Sequence, residues 1–276
     1  DVNIDLSVSN ATYGEKIIVK TFLSDLKGNL INEKLKLEIA GNLYEITSNS
    51  DFTVPVILNA SKYDVKVSFE GSKNYNRNNA VKSFTINKAK LDLSLTMDNA
   101  TYGSYLVLNN KLKHDLILNI NNKNYTLRAS SVNQVLVLLD VGSYEAKVIF
   151  RGDNNYYPNT QTMKVSIMKA TPKLIVNIPD ISYGSYINAD VKLIGINDSK
   201  LDENVVLTIN NNDYTFKANS VFTIPVILDA STYLVKIAFE GNNNYNSISK
   251  DVNVNVGKIN PKLVIDISDS KYGENP

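Results

Sequence analysis

The chain has 276 residues, with 29 basic against 28 acidic side chains, no cysteine and a single histidine. Disulfides, thiolate nucleophiles and cysteine-based zinc sites are excluded, imidazole chemistry has one residue to use, and the balanced charge disfavours nucleic acid and anionic membrane as partners. Asn supplies 39 residues against 13 Ala and 2 Gln, an excess of turn formers over helix formers that points to an all-β chain.

From the start of the chain, apolar residues recur at every second position, the period of a half-buried strand. Ile4, Leu6 and Val8 alternate with Asp5, Ser7 and Ser9, and Leu91, Leu93 and Leu95 open a later stretch in the same way. The pattern predicts strands over 3–9, 16–23, 35–40, 43–47, 53–58, 62–69 and 80–88, divided by turn clusters such as Asp25 to Asn32 and Gly71 to Asn79. Seven short strands in about 85 residues make a small two-sheet sandwich, here lettered A to G. Pro55 and, further on, Pro225 fall in the fifth strand, where a missing N–H is tolerable only at a sheet edge or a bulge.

The unit then repeats. Tyr13-Gly14, Tyr102-Gly103, Tyr183-Gly184 and Tyr272-Gly273 are spaced by 89, 81 and 89 residues. Segments starting at Tyr63, Tyr144 and Tyr233 share Lys, Phe and Gly in register and end at Gly71, Gly152 and Gly241, followed by Asn74-Tyr75, Asn155-Tyr156 and Asn244-Tyr245. A third anchor, Tyr44, Tyr125 and Tyr214, lies 31, 23 and 31 residues after the first. The middle unit has therefore lost 8 residues, in its B–C loop. The domains read as 1–89, 90–170 with the shortened loop, 171–260, and 261–276 as the first strand, near Lys262 to Ser268, of an incomplete fourth repeat. The chain is expected to be an excerpt of a longer polypeptide. Apolar runs such as Val135 to Leu139 are strand-sized, far short of the roughly 20 residues a bilayer requires.

Asn59 to Tyr63, Asp140 to Tyr144 and Asp229 to Tyr233 each lead into the sixth strand. They fit a tyrosine corner, in which Tyr63, Tyr144 and Tyr233 return their hydroxyls to the backbone a few residues upstream. Those hydroxyls are expected to satisfy buried backbone groups, and Val65, Ala146 and Val235 to point into the core. The Tyr-Gly opening, the corner and the closing Phe-x-Gly-x-x-Asn-Tyr together resemble the bacterial group 3 immunoglobulin-like repeats, in particular those strung along archaeal, chiefly methanogen, adhesin-like surface proteins. The resemblance implies tandem immunoglobulin-like β-sandwiches, extracellular and at the cell surface, in a stalk or adhesive array attached to a cell envelope.

Other features have plainer readings. Thirteen of the 16 tyrosines occupy the recurring anchors and read as fold determinants; Tyr105 and Tyr186 match each other on the second strand, and Tyr157, beside Pro158, is the aromatic nominated for a ligand. Five Asn-x-Ser/Thr sequons, at Asn10, Asn59, Asn99, Asn124 and Asn197, are no more than this Asn content yields by chance. Asp98-Asn99, Asp180 and Asp269 invite calcium, but the residue three before each anchor Tyr suits the cap of a local turn. Lys66, Lys147 and Lys236 lie on the outward phase of the sixth strand, which disfavours Lys-Asn isopeptide cross-links. His114, in the shortened loop, is expected to be solvent-exposed. No phosphate loop, no Gly-x-Ser-x-Gly and no recurring carboxylate pair is present, so no enzymatic activity, cofactor or metal is expected.

The linkers Lys88 to Lys90, Lys169 to Lys173 and Lys258 to Lys262 are short, and Pro172 and Pro261 stiffen two of them. An elongated rod with end-to-end packing of neighbouring repeats is expected, the B–C and F–G loops facing the preceding repeat, and the two joints packing differently because one loop is shorter. The reading is a non-catalytic structural stalk or spacer of a cell-surface adhesin-like protein. One alternative is an adhesive module that binds a glycan or protein ligand, of unknown identity, through the B–C and F–G loops. The other is a subunit of an extracellular filament, since Lys262 to Ser268 offers an apolar edge that could pair with another chain.

Overall fold

A computed structural model describes residues 1–136, 138–267, 269 and 271–273. These fall into two compact units, one of Asp1–Met97, Val107–Asn133 and Glu145–Lys164, the other of Asp98–Leu106, Gln134–Tyr144 and the residues from Val165 onward.

The first repeat contains β1 (Val2–Val8), β2 (Ala11–Thr12), β3 (Ile18–Asp25), β4 (Lys34–Ile39), β5 (Asn42–Thr47), β6 (Ser50–Thr53), β7 (Lys62–Phe69) and β8 (Asn78–Asn87). Alternation sets their faces: in β4, Leu35, Leu37 and Ile39 are buried while Lys34, Lys36 and Glu38 are exposed. One sheet has the order β1-β3-β6 and the other β2-β8-β7-β4-β5. Their inner faces share a core that includes Val19, Leu23, Leu37, Ile39, Val65 and Val67. Between β4 and β5, Ala40 and Gly41 both take positive φ, the backbone of a two-residue hairpin turn. That tight turn commits β5 to the sheet of β4.

Between β1 and β2 the chain changes sheets, pairing antiparallel with β3 and then parallel with β8. Asn10 sits at this crossing, and its Oδ1 accepts the N–H of Thr85 at 2.7 Å. Asn99 and Asp180 accept from Ser166 and Asn255 in the same way, each at 2.8 Å. These side chains, expected to cap local turns, instead serve the last strand of their repeat where the crossing leaves its N–H without a ladder partner.

The expected fifth strand over 53–58 is also displaced. β6 ends at Thr53, paired with Ile18, and the last ladder-like bond is from Val54 N–H to the Ile17 carbonyl. Pro55 then has no N–H to continue the ladder, so it marks the end of the strand and not its interior.

After β9 (Ala89–Lys90), the middle repeat holds β10 (Ala100–Thr101), β11 (Tyr105–Asn110), β12 (Leu116–Ile120), β13 (Lys123–Leu127), β14 (Ser131–Leu136), β15 (Gly142–Phe150), β16 (Tyr156–Tyr157) and β17 (Asn159–Met168). Its large sheet is ordered β10-β17-β15-β12-β13, and β11 pairs with β14. Leu136 stands where the outer repeats have proline, and β14 extends to it. Leu91, Leu93 and Leu95 are buried but belong to no strand, contrary to the alternation. Ser94 adopts φ 37°, which breaks the extended run, and the Gln161 side chain replaces a neighbouring strand, accepting the Leu95 N–H at 2.9 Å and donating to its carbonyl at 2.6 Å.

The third repeat restores the pattern of the first with β18 (Lys173–Asn177), β19 (Ile181–Ser182), β20 (Asn188–Ile194), β21 (Asn204–Ile209), β22 (Asn212–Lys217), β23 (Ser220–Thr223), β24 (Thr232–Phe239) and β25 (Ile248–Gly257). The sheets are β18-β20-β23 and β19-β25-β24-β21-β22, and β23 stops two residues before Pro225. The expected lone strand at Lys262 to Ser268 has no strand pairing over 262–267, where Leu263, Val264, Ile265 and Ile267 are exposed; Ser268 lies outside the described residues.

Candidate functional site

The recurring anchors meet where one repeat adjoins the next. Each F–G loop closes on itself: the N–H groups of Asp153 and Asn242 donate to the carbonyls of Tyr156 and Tyr245, both at 3.1 Å. The side-chain oxygens of those same residues accept the N–H of Asn155 and Asn244 at 2.8 and 2.9 Å. The turn is therefore formed within the loop, and it presents Asn and Tyr side by side.

The receiving surface is organised by the tyrosine at the start of the sixth strand. Tyr63 Oη donates to the Asn59 carbonyl at 3.0 Å, Tyr144 to Asp140 at 2.8 Å and Tyr233 to Asp229 at 3.0 Å. All three bonds are solvent-exposed, so the expectation of buried partners is corrected: the accepting carbonyls sit on the surface, where water competes for them. Val65, Ala146 and Val235 have no exposed surface. What the bond holds is the shape of Asn59-Ala60 and its counterparts, and those residues form half of a socket.

In the joint between the first and second repeats, Asn155 fills that socket. Its Oδ1 accepts the Ala60 N–H at 2.9 Å, and its Nδ2 donates to Asn59 Oδ1 at 3.0 Å. The Ala89 N–H donates to the Asn155 carbonyl at 2.9 Å, and the Lys88 ammonium to the Asp153 carbonyl at 2.7 Å. Tyr156 meets Tyr13 edge-on at 5.3 Å between ring centroids, an arrangement worth about 0.5–1.5 kcal/mol beyond area burial. Backbone pairing of β9 with β16 extends the contact.

The joint between the second and third repeats has the same frame. Asn244 Oδ1 accepts from Val141 N–H at 3.0 Å, and Nδ2 donates to Asp140 Oδ1 at 2.8 Å. Ala170 N–H reaches the Asn244 carbonyl at 3.0 Å, Lys169 reaches the Asn242 carbonyl at 2.7 Å, and Tyr245 meets Tyr102 edge-on at 5.5 Å. The expectation that the two joints pack differently is thus corrected for this frame, which involves the F–G loop and is indifferent to B–C length.

Length matters only in the B–C contribution. In the second joint the longer loop carries a 3-10 turn at Ile196–Asp198. The Ile196 N–H meets Tyr245 Oη at 3.1 Å, and its side chain lies where a Cβ on Gly103 would stand, 2.1 Å from Cδ1. In the first joint the shortened loop brings His114, which is not solvent-exposed as expected. Its side chain is 23% exposed, with Nδ1 3.2 Å from Asp153 Oδ2. The ring packs edge-on to Phe150 and Tyr156 at 5.1 and 5.3 Å, because losing the loop leaves the docked tyrosine open to it.

Tyr157, nominated for a ligand, is 53% exposed beside this joint, with its backbone paired to Lys90. Tyr105 and Tyr186 are exposed. Among the described residues no three His, Asp or Glu side chains converge on a common point, and no helix is long and apolar enough to cross a membrane. Reading the anchors as fold determinants missed their role between repeats. Lys88, Lys169 and Lys258 recur at equivalent places on exposed linkers, where a single fold has no need of them, and that recurrence was the available signal.

Three-strand and five-strand sheets, with the sixth strand flanked by the third and seventh and pinned by a tyrosine, decide the fold. These are immunoglobulin-like β-sandwiches. Neither a family model nor a curated protein matches the chain. Among solved structures, this immunoglobulin-like chain is similar to Drosophila OTK extracellular domains 3–5 at 13% identity, covering 93% of this chain and 98% of that one with a TM-score of 0.30. Chicken CNTN1 FN1–FN3 domains match at 10% identity, with 92% and 98% covered and a TM-score of 0.26. A Bacteroides ovatus mixed-linkage glucan utilization protein, SGBP-B, solved with a heptasaccharide, matches at 13% identity over 94% and 71% with a TM-score of 0.25. The fold assignment rests on the strand order and register described above.

Proposed function

We propose that this chain is a non-catalytic structural spacer of an extracellular, cell-surface adhesin-like protein, of the kind built from group 3 immunoglobulin-like repeats in archaeal surface proteins. The observation that carries the proposal is the repeated joint. At both junctions an Asn amide satisfies a backbone N–H and a side-chain oxygen, a linker Lys takes a loop carbonyl, and two tyrosines meet edge-on. Polar side chains copied at this spacing keep one repeat in register with the next, which a spacer requires and a catalyst does not. Boundaries at residues 89, 170 and 260 agree with where these joints fall.

Limited trypsin digestion tests it. Lys88, Lys90, Lys169 and Lys173 offer cleavage sites, yet Ala89 and Ala170 are pinned by their own N–H bonds to the docked loops. The linkers are expected to resist cleavage in the parent and to be cut first in Asn155→Ala and Asn244→Ala. Rapid cleavage of the parent at both linkers contradicts a spacer. A glycan array tests the adhesive alternative, for which the exposed Tyr157 is the best residue; saturable binding lost in Tyr157→Ala decides in its favour.

A further inference from the structure

The third repeat carries the same socket with nothing seated in it. Tyr183, Ala230, Lys258, Ile259 and Pro261 line an open, largely apolar depression of about 420 Å³. The first four stand at the positions of Tyr13, Ala60, Lys88 and Ala89 in one joint and of Tyr102, Val141, Lys169 and Ala170 in the other. Asp229 takes the place of Asn59 and Asp140, held by the same Tyr233 hydrogen bond to its carbonyl. Exposure separates the empty socket from the filled ones. Tyr183 is 44% exposed and Ile259 53%, whereas Tyr13 and Tyr102 are half-buried and Ala170 is buried. Among the described residues the N–H groups of Ala230 and Ile259 have no hydrogen-bond partner.

The matching loop lies on the first repeat. Ser72 N–H donates to the Tyr75 carbonyl at 2.9 Å, and Ser72 Oγ accepts from the Asn74 N–H at 3.4 Å, the closed turn of the two docked loops. Asn74 is exposed, while Asn155 and Asn244 are half-buried. Tyr75 already packs on the core of its own repeat, so the loop is organised before it meets anything.

We propose that the socket of the third repeat binds the Asn74-Tyr75 loop of a second copy of this chain. The contacts are those of the internal joints: the Asn74 amide on the Ala230 N–H and the Asp229 carboxylate, the Ile259 N–H on the Asn74 carbonyl, Lys258 on the Ser72 carbonyl, and Tyr75 edge-on to Tyr183. The inference rests on the joint reading above. Because the two partners contribute different surfaces, the contact is heterologous, and a bound pair keeps one free loop and one free socket.

Sedimentation equilibrium of the full chain tests this, in a concentration series up to about 1 mM because a one-loop contact belongs to the weak class, below about 1,200 Å². The average mass is expected to rise with concentration, and the Ala230 and Ile259 amide resonances to shift with it. Asn74→Ala and Lys258→Ala each remove an exposed side chain and are each expected to weaken association about tenfold. Mixed in equal amounts, the two variants retain one intact loop and one intact socket between them, so they are expected to form dimers and go no further. A monomer throughout the series overturns the proposal, as does association that neither variant weakens; the latter assigns the contact to the exposed apolar residues between Leu263 and Ile267. Failure of the joint reading itself shows elsewhere, in Asn155→Ala and Asn244→Ala chains whose linkers resist trypsin as well as the parent's.

Discussion

Thr21 in β3 and Val191 in β20 occupy one position in two copies of the same fold, and both are fully buried. The Thr21 hydroxyl has no partner among the described residues. An unsatisfied buried hydroxyl costs about 1–3 kcal/mol, and valine fills nearly the same volume. Thr21→Val is expected to stabilise the first repeat by about 1 kcal/mol, read as a higher urea midpoint; a lower midpoint contradicts this account. Tyr233→Phe goes the other way, but modestly. Its hydrogen bond is exposed, water can take over the Asp229 carbonyl, and a loss near 0.5–1 kcal/mol is expected in the same measurement. A loss above about 3 kcal/mol contradicts the surface placement of that carbonyl.

Strands were legible in the sequence because period 2 is imposed by the pleat: Leu35, Leu37 and Ile39 could face only one way. What escaped were places where a side chain replaces backbone. Gln161 stands in for a strand beside Leu95, and no periodicity announces that. Asn110 is another case. It is fully buried in β11 and donates to the carbonyls of His114 and Arg128, both at 2.9 Å, tying down the shortened B–C loop. In the first repeat Asn49, at φ 60°, ties the longer loop by donating to the Ile31 carbonyl, and Asn219, at φ 61°, serves the third repeat through Leu201. The joints escaped for a related reason: Lys88 and Asn155 look like ordinary surface residues until a neighbour is placed against them. The glycines of the two Tyr-Gly turns bring a test at this scale. Gly14 at φ 92° has open space around a Cβ, while Gly103 at φ 80° is covered by Ile196. Both alanine variants cost about 1 kcal/mol for the left-handed backbone. Gly103→Ala must also displace Ile196, for about 1–3 kcal/mol more. Differential scanning calorimetry is expected to show the larger drop for Gly103→Ala, and equal drops contradict the contact.

Across the whole molecule, two carboxylates respond measurably to pH. Hydrogen bonds from the Asn29 side chain and backbone hold Asp25 below the usual carboxylate range. The Ala129 N–H, followed by Arg128, does the same for Asp115. A folded-state pKa below the unfolded value contributes stability above the ordinary Asp range and loses it as pH falls through the folded value. Melting temperature is therefore expected to be insensitive to these two groups from neutral pH down to about 5, and to fall below about pH 4. In the double variant Asp25→Asn, Asp115→Asn that acid limb is expected to be shallower; an identical limb removes these residues from the account.

The self-closed F–G loop also bears on how such a chain comes off the ribosome. Each socket is assembled wholly from the preceding repeat, out of its Tyr-Gly turn, its corner and the end of its last strand, and each loop keeps its shape by its own bonds. Nothing in a finished repeat must be reopened to admit the next. With 81 or 89 residues between successive loops and synthesis at about 5–20 residues per second, each repeat has roughly 4–18 s to fold before its successor arrives. The array can thus be laid down in order from the first residue, every completed repeat acting as the template on which the following one is seated, and only the newest end stands open at any moment.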